Sequence, residues 1–144
     1  MTDVMVSTRP VFADEDVMSV ADSLRGYMRA VASTLGVSLE SCAINPYPPA
    51  SAYVAVDVKL ARYPGQDVAL AWDERRGWSA VVESDFGQKV RTIARCGGDV
   101  TPEPAVVQAF VDALVAGGTK MREHRLRPHR RHRGSLVSRL REYA

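Results

Sequence analysis

Apolar residues in the stretch DEDVMSVADSLRGYMRAVASTLG recur at three- and four-residue steps, through Val17, Val20, Ala21, Leu24, Tyr27, Met28, Val31 and Leu35. This spacing draws one stripe down a helix. Asp14 or Asp16 is placed to cap its start, and Gly36 to end it in the left-handed conformation. The period then changes to two. SAYVAVDVKL sets Val54, Val56, Val58 and Leu60 against Tyr53, Ala55, Asp57 and Lys59, the alternation of a half-buried strand. Tyr63-Pro64-Gly65 suits a type II turn. DVALAWD and GWSAVVES follow as a hairpin through DERRG, with Gly77 closing the loop and Trp72 and Trp78 beside it. KVRTIARC, from Lys89 to Cys96, and a weaker strand near SCAINPY bring the count to about five.

A second helix is predicted in GGDVTPEPAVVQAFVDALVAGG, with Thr101 as N-cap, Pro102 in the first turn and Gly117-Gly118 as the stop. Val106, Val107, Phe110, Val111, Leu114 and Val115 make it apolar around much of its circumference, so it needs cover on more than one side. It either crosses the sheet centrally or meets a second subunit, and a homodimer is expected. The fold class is therefore α+β: an antiparallel sheet of about five strands between an N-terminal and a C-terminal helix. Residues 12–118 form one domain and residues 119–144 a basic arm.

Composition agrees with one core of ordinary size, 46% of the 144 residues being apolar. Cys42 and Cys96 show no pairing or C-x-x-C pattern, which points to a reducing compartment. No apolar leader or membrane-length run is visible, so a cytoplasmic protein without membrane association is expected. Charge changes the picture more. Residues 1–119 carry ten Lys and Arg against fifteen Asp and Glu, a net of −5, whereas residues 120–144 carry nine against two, a net of +7.

The hairpin DVALAWDERRGWSAVVE, with GGDVTPEPAVVQAFVDAL after it and LRGYMRAVASTLGV before it, resembles an uncharacterised family of small actinobacterial proteins, a domain of unknown function. The resemblance spans roughly residues 20–116 and excludes the arm. It implies a helix, a run of strands and a closing helix, and brings no catalytic residues with it.

Candidate chemistry is sparse. Gly97-Gly98-Asp99 ahead of a helix has the outline of a phosphate loop, but Pro102 and Pro104 remove N–H donors and Asp99 and Glu103 repel an anion, so a turn and cap is the expectation. Asp57-Val58-Lys59 has the spacing that sets a carboxylate and an ammonium on one strand face, as in metal-dependent nucleases, with Asp73 or Glu83 as a second acid. A solvated strand face is the plainer reading. His124, His129 and His132 lie among arginines that oppose a divalent cation, and neither a metal site nor a cofactor is expected. No G-x-S-x-G elbow occurs, and no catalytic residue is assigned. The loop NPYPPASAY offers Tyr47 and Tyr53 to a partner, or is a rigid connection. Lys89, Arg91 and Arg95 are expected to line the exposed side of the last strand with Ile93 among them.

The arm carries the strongest expectation. Arg125, Arg127, Arg130, Arg131 and Arg133 match segments that sit on nucleic-acid phosphates. Alternatives are an arm without a ligand, one that folds back on an acidic body, and one that holds an acidic protein. Leu136, Leu140 and Tyr143 fall at helical spacing behind Ser135 and would dock on a partner surface. The expected function is a non-enzymatic accessory or regulatory protein, its body mediating protein association and its arm contacting nucleic acid without sequence preference. Alternatives are an adaptor or chaperone-like module with a polypeptide ligand and, remotely, a metal-dependent nuclease using Asp57 and Lys59.

Overall fold

The computed structural model describes residues 2–84, 86–117, 136, 140 and 143, with side chains from residue 17 onward. Helix α1 (Thr2–Leu35) is followed by a short 3-10 turn (Leu39–Ser41), five strands and helix α2 (Pro104–Val115). The strands are β1 (Cys42–Asn45), β2 (Ser51–Val56), β3 (Asp67–Asp73), β4 (Gly77–Ser84) and β5 (Lys89–Arg95). They pair antiparallel in chain order, β1-β2-β3-β4-β5, as a meander. The α+β class and the two flanking helices are as the periodicity predicts. No helix among the described residues is long and apolar enough to cross a membrane.

Both helices lie on one face of the sheet. Val20, Leu24, Tyr27, Met28 and Val31 of α1 meet Val54, Leu70, Trp72, Trp78 and Ala80 of the sheet and Val107, Phe110 and Val111 of α2 in one buried cluster. Val107 and Phe110 lie three apart and Val107 and Val111 four apart, so one side of α2 is buried, while Val106 and Val115 stay exposed. The opposite sheet face presents Ser51, Tyr53, Ala55, Ala69, Ala71, Ser79, Val81 and Glu83, because side chains alternate across each strand.

The β3-β4 hairpin sets Trp72 directly opposite Trp78. Asp73 shapes its turn by accepting from the backbone N–H groups of Arg75 and Arg76 at 2.8 and 2.7 Å. Gly77 closes it at φ +76°, and a Cβ there would lie 3.2 Å from the Cα of Val100, so this turn admits little but glycine. The turn at Tyr63-Pro64-Gly65 forms as expected, Gln66 N–H donating to the Tyr63 carbonyl with Gly65 at φ +73°.

Three boundaries and one strand register differ from the sequence reading. Helix α1 begins at Thr2, so Asp14 and Asp16 lie within it and do not cap it. Val4 and Val11, like Met5 and Phe12, are seven residues apart, so the helical repeat already runs ahead of those aspartates. Strand β2 ends at Val56 although the alternation continues to Leu60. Leu60 instead packs beneath Val68 and Val82 in a small second cluster, which draws the chain away from the ladder. Helix α2 starts at Pro104 with Glu103 as N-cap, and not with Thr101 and Pro102. The Pro102 carbonyl accepts a tertiary hydrogen bond from Tyr27, holding that segment outside the helix. In β5 the register shifts between Ala80 and Val81, so that Arg91 pairs with Val82 and Arg95 with Ser79. The bulge puts Arg91 and Arg95 on opposite faces and turns Ile93 toward the core, which breaks the expected basic stripe. Arg91 stands 5.6 Å over the Tyr63 ring.

Candidate functional site

Around Tyr27, residues far apart in sequence converge in a buried polar network. The Tyr27 hydroxyl donates to the Pro102 carbonyl at 2.5 Å and accepts from the Trp78 indole N–H at 3.0 Å. The Trp72 indole N–H donates to the Val100 carbonyl at 2.7 Å. The two tryptophans therefore point inward, and each N–H is satisfied by a group from another element, as buried polar atoms require. Asp99 accepts from Thr101 N–H at 3.2 Å. Gly97 and Gly98, both at positive φ, turn the chain here as expected, but the segment does not cap α2, whose N-cap is Glu103.

Burial holds the Tyr27 hydroxyl far above the ordinary tyrosine range. The Trp78 hydrogen bond works against that shift, while charges at Tyr143, Cys96 and Asp99 add to it. In the unfolded chain the same group ionises near 10. The folded state therefore keeps a proton that the unfolded state loses. Stability from this group is complete below about pH 10 and falls above it, by about 1.4 kcal/mol per pH unit. Tyr53, bonded to the Glu83 carboxylate, is raised by burial first and by that carboxylate second, and its partial exposure makes its contribution smaller. Urea unfolding midpoints measured from about pH 8 to 11 should fall at high pH, with the raised thiols contributing from about pH 9, and the fall above pH 10 should be shallower in Tyr27→Phe; an equal fall in the two proteins contradicts the assignment.

The remaining candidate residues disperse. Asp57 and Lys59 follow the end of β2, so they do not share a strand face. Lys59 instead meets Asp67 at 3.6 Å, both well exposed. Asp73 sits in the hairpin turn beside Ser51, at the far end of β2 from Val56, and Glu83 is engaged by Tyr53. The geometry required for two-acid metal chemistry is absent from these four residues. Among the described residues no group of three or more His, Cys, Asp and Glu is placed to hold a metal ion. Tyr47 is exposed in the β1-β2 loop, its N–H bonded to the Asn45 side chain, and Pro48-Pro49 is cis. Cys42 and Cys96 are free thiols whose pKa burial pushes up.

Arg125, Arg127, Arg130, Arg131 and Arg133, with His124, His129 and His132, lie outside the described residues. Leu136, Leu140 and Tyr143 are described. Leu136 and Leu140 are buried within the main core cluster, and Tyr143 packs edge-on against Tyr27, ring centroids 4.9 Å apart. These apolar residues are engaged with the chain's own body. The sequence signalled their helical spacing but not their seat, since the cluster they enter, drawn from α1, α2 and the sheet, exists only once the fold is assembled.

A five-stranded antiparallel meander with two helices on one face, closed by an inward-facing tryptophan pair, defines a small α+β domain without a visible catalytic constellation among its described residues. A family model described as a family of unknown function, DUF6292, matches residues 27–113. That is more than half of the 144-residue chain, and the chain belongs to this family. The matched span takes in Tyr27, both tryptophans and Pro102, and stops before the arginines and Leu136. No curated protein and no solved structure gave a match.

Proposed function

We propose that this chain is a non-enzymatic accessory or regulatory protein of the cytoplasm, its body mediating protein association and Arg125, Arg127, Arg130, Arg131 and Arg133 contacting nucleic-acid phosphates. The sequence resemblance implies an actinobacterial setting. One observation supports the reading above all others: the arginine-bearing stretch is joined to the body at both ends, at Gly117 after α2 and at Leu136 in the core. A cationic segment held this way loses less conformational freedom on binding than a free tail does. Guanidinium groups bond phosphate oxygens in pairs and release condensed counterions, without reading bases.

Replacing those five arginines with glutamine leaves Leu136 and Leu140 in place and is the appropriate test. Titration of a labelled duplex at several salt concentrations should give a steep loss of affinity with salt for the unaltered chain. The variant should lower the log–log slope by roughly 4 to 5. Equal affinity and slope for the two proteins would remove the reading. Sedimentation equilibrium, run alongside, is expected to show a homodimer, with exposed Val106 of α2 as the proposed contact; a monomer at all concentrations removes that part.

A second reading, an adaptor with a polypeptide ligand, draws on the sheet face away from the helices. A shallow depression of about 370 Å³ lies there among Ala43, Asn45, Ser51, Tyr53, Ala71 and Asp73. It borders β1, whose outer edge has no strand partner among the described residues, and an extended peptide adds to such an edge through main-chain hydrogen bonds. A stoichiometric partner recovered after nuclease treatment should be lost in Ala71→Arg; its retention there sinks the reading.

A further inference from the structure

Helices α1 and α2 end beside one another, and a cleft of about 560 Å³ opens between their last turns and the segment after β2. Its walls are apolar, formed by Leu35, Val37, Val56, Val58, Val111 and Val115, and Asp57 and Asp112 stand among them. Gln108 Nε2–H donates to the Asp112 carboxylate at 2.8 Å, fixing its orientation. Neither helix carries a basic residue in its last turn. A helix C-terminus bears partial negative charge, which Lys and Arg can offset. Two such ends and two carboxylates thus surround one apolar-walled cleft whose described lining includes no basic side chain. The side chains that suit this environment are lysine and arginine, which lay an aliphatic stem along apolar surface and present a charged head to carboxylates.

We propose that this cleft is the docking seat for the first cations of the chain's own basic segment, Lys120 and Arg122. The seat opens where that segment starts. Val115 and Ala116 line it, and Gly117, at φ +79°, turns the chain immediately after them. Three residues from Gly117 to Lys120 span up to about 10 Å, enough to reach across the cleft mouth. Because the stretch is rejoined to the body at Leu136, its local concentration is on the order of millimolar, so contacts too weak to hold a free peptide suffice. The seat stands on the cleft's charge and position and not on nucleic-acid binding; only its consequence, that a polyanion competes with Asp57 and Asp112 for the arm, rests on the function proposed above.

Zero-length carbodiimide coupling of the full chain, mapped by mass spectrometry, tests the seat directly. A link between Lys120 and Asp57 is expected at low salt, several-fold stronger than any link from Lys120 to exposed acids elsewhere, such as Asp22 or Glu40. It should weaken several-fold in high salt and disappear in Asp57→Asn, a change at an exposed side chain. Arg122→Lys should add a second link to Asp57 or Asp112. Indiscriminate coupling of Lys120 overturns the proposal. So does a link that, in an equal mixture of ¹⁴N- and ¹⁵N-labelled protein, joins different molecules, which assigns the cleft to a second copy. Duplex titration separates the two proposals: binding without the Lys120–Asp57 link removes the seat and leaves the function, and the link without binding does the reverse.

Discussion

Leu136→Ala combined with Leu140→Ala should destabilise the fold by about 4–10 kcal/mol. Both side chains are buried in the cluster that joins α1, α2 and the sheet, Leu140 completely so. Each truncation removes transfer free energy and leaves a cavity against helices that are themselves packed, and each typically costs about 2–5 kcal/mol. Domains of this size have about 5–15 kcal/mol to lose. Urea or thermal melts of the double variant should therefore show a large fall in midpoint or no cooperative transition. Midpoints within about 1 kcal/mol of the parent would place these leucines outside the core. The same reasoning explains why deleting everything beyond Thr119 is a poor test of the arm: it removes the core leucines with the arginines, whereas glutamine substitutions separate the two.

Tyr27→Phe is the second large effect, about 2–4 kcal/mol, although it removes one oxygen atom and little volume. The hydroxyl is the partner of two buried groups, the Trp78 indole N–H and the Pro102 carbonyl. Without it both stay buried and unpaired, at about 1–3 kcal/mol each before relaxation. Trp78→Phe, which removes the indole donor but leaves the Tyr27–Pro102 bond, supplies the comparison. A double-mutant cycle of the two should show coupling of about 1 kcal/mol or more. Additive effects would mean that the Tyr27–Trp78 bond contributes nothing to the fold.

The local patterns carried much of the architecture. DVALAWD and GWSAVVES occupy β3 and β4 over the spans read from alternation, because a hairpin closed by Asp73 and Gly77 is specified within a few residues. The stripe from Val20 to Val31 became the core face of α1 for the same reason. Failures occurred wherever a distant residue overrode the local pattern. Leu60 took a place under Val68 instead of extending β2, Tyr27 kept Pro102 out of α2, and the bulge in β5 redirected Arg91. The site was less legible still. Asp57 reads in sequence as half of a D-x-K pair, yet its neighbours across the cleft, Gln108 and Asp112, come from a helix some fifty residues away. No spacing rule connects them.

Every strand of the meander hydrogen-bonds to the strand made just before it, so the sheet can assemble by a succession of short loop closures, the kind that lose least chain entropy. Its apolar cover comes from α1 at one extreme of the sequence and from α2, Leu136 and Leu140 at the other. Kinetics should divide accordingly, with rapid zippering of hairpins and a slower clamping step that brings the two extremities together over the tryptophans.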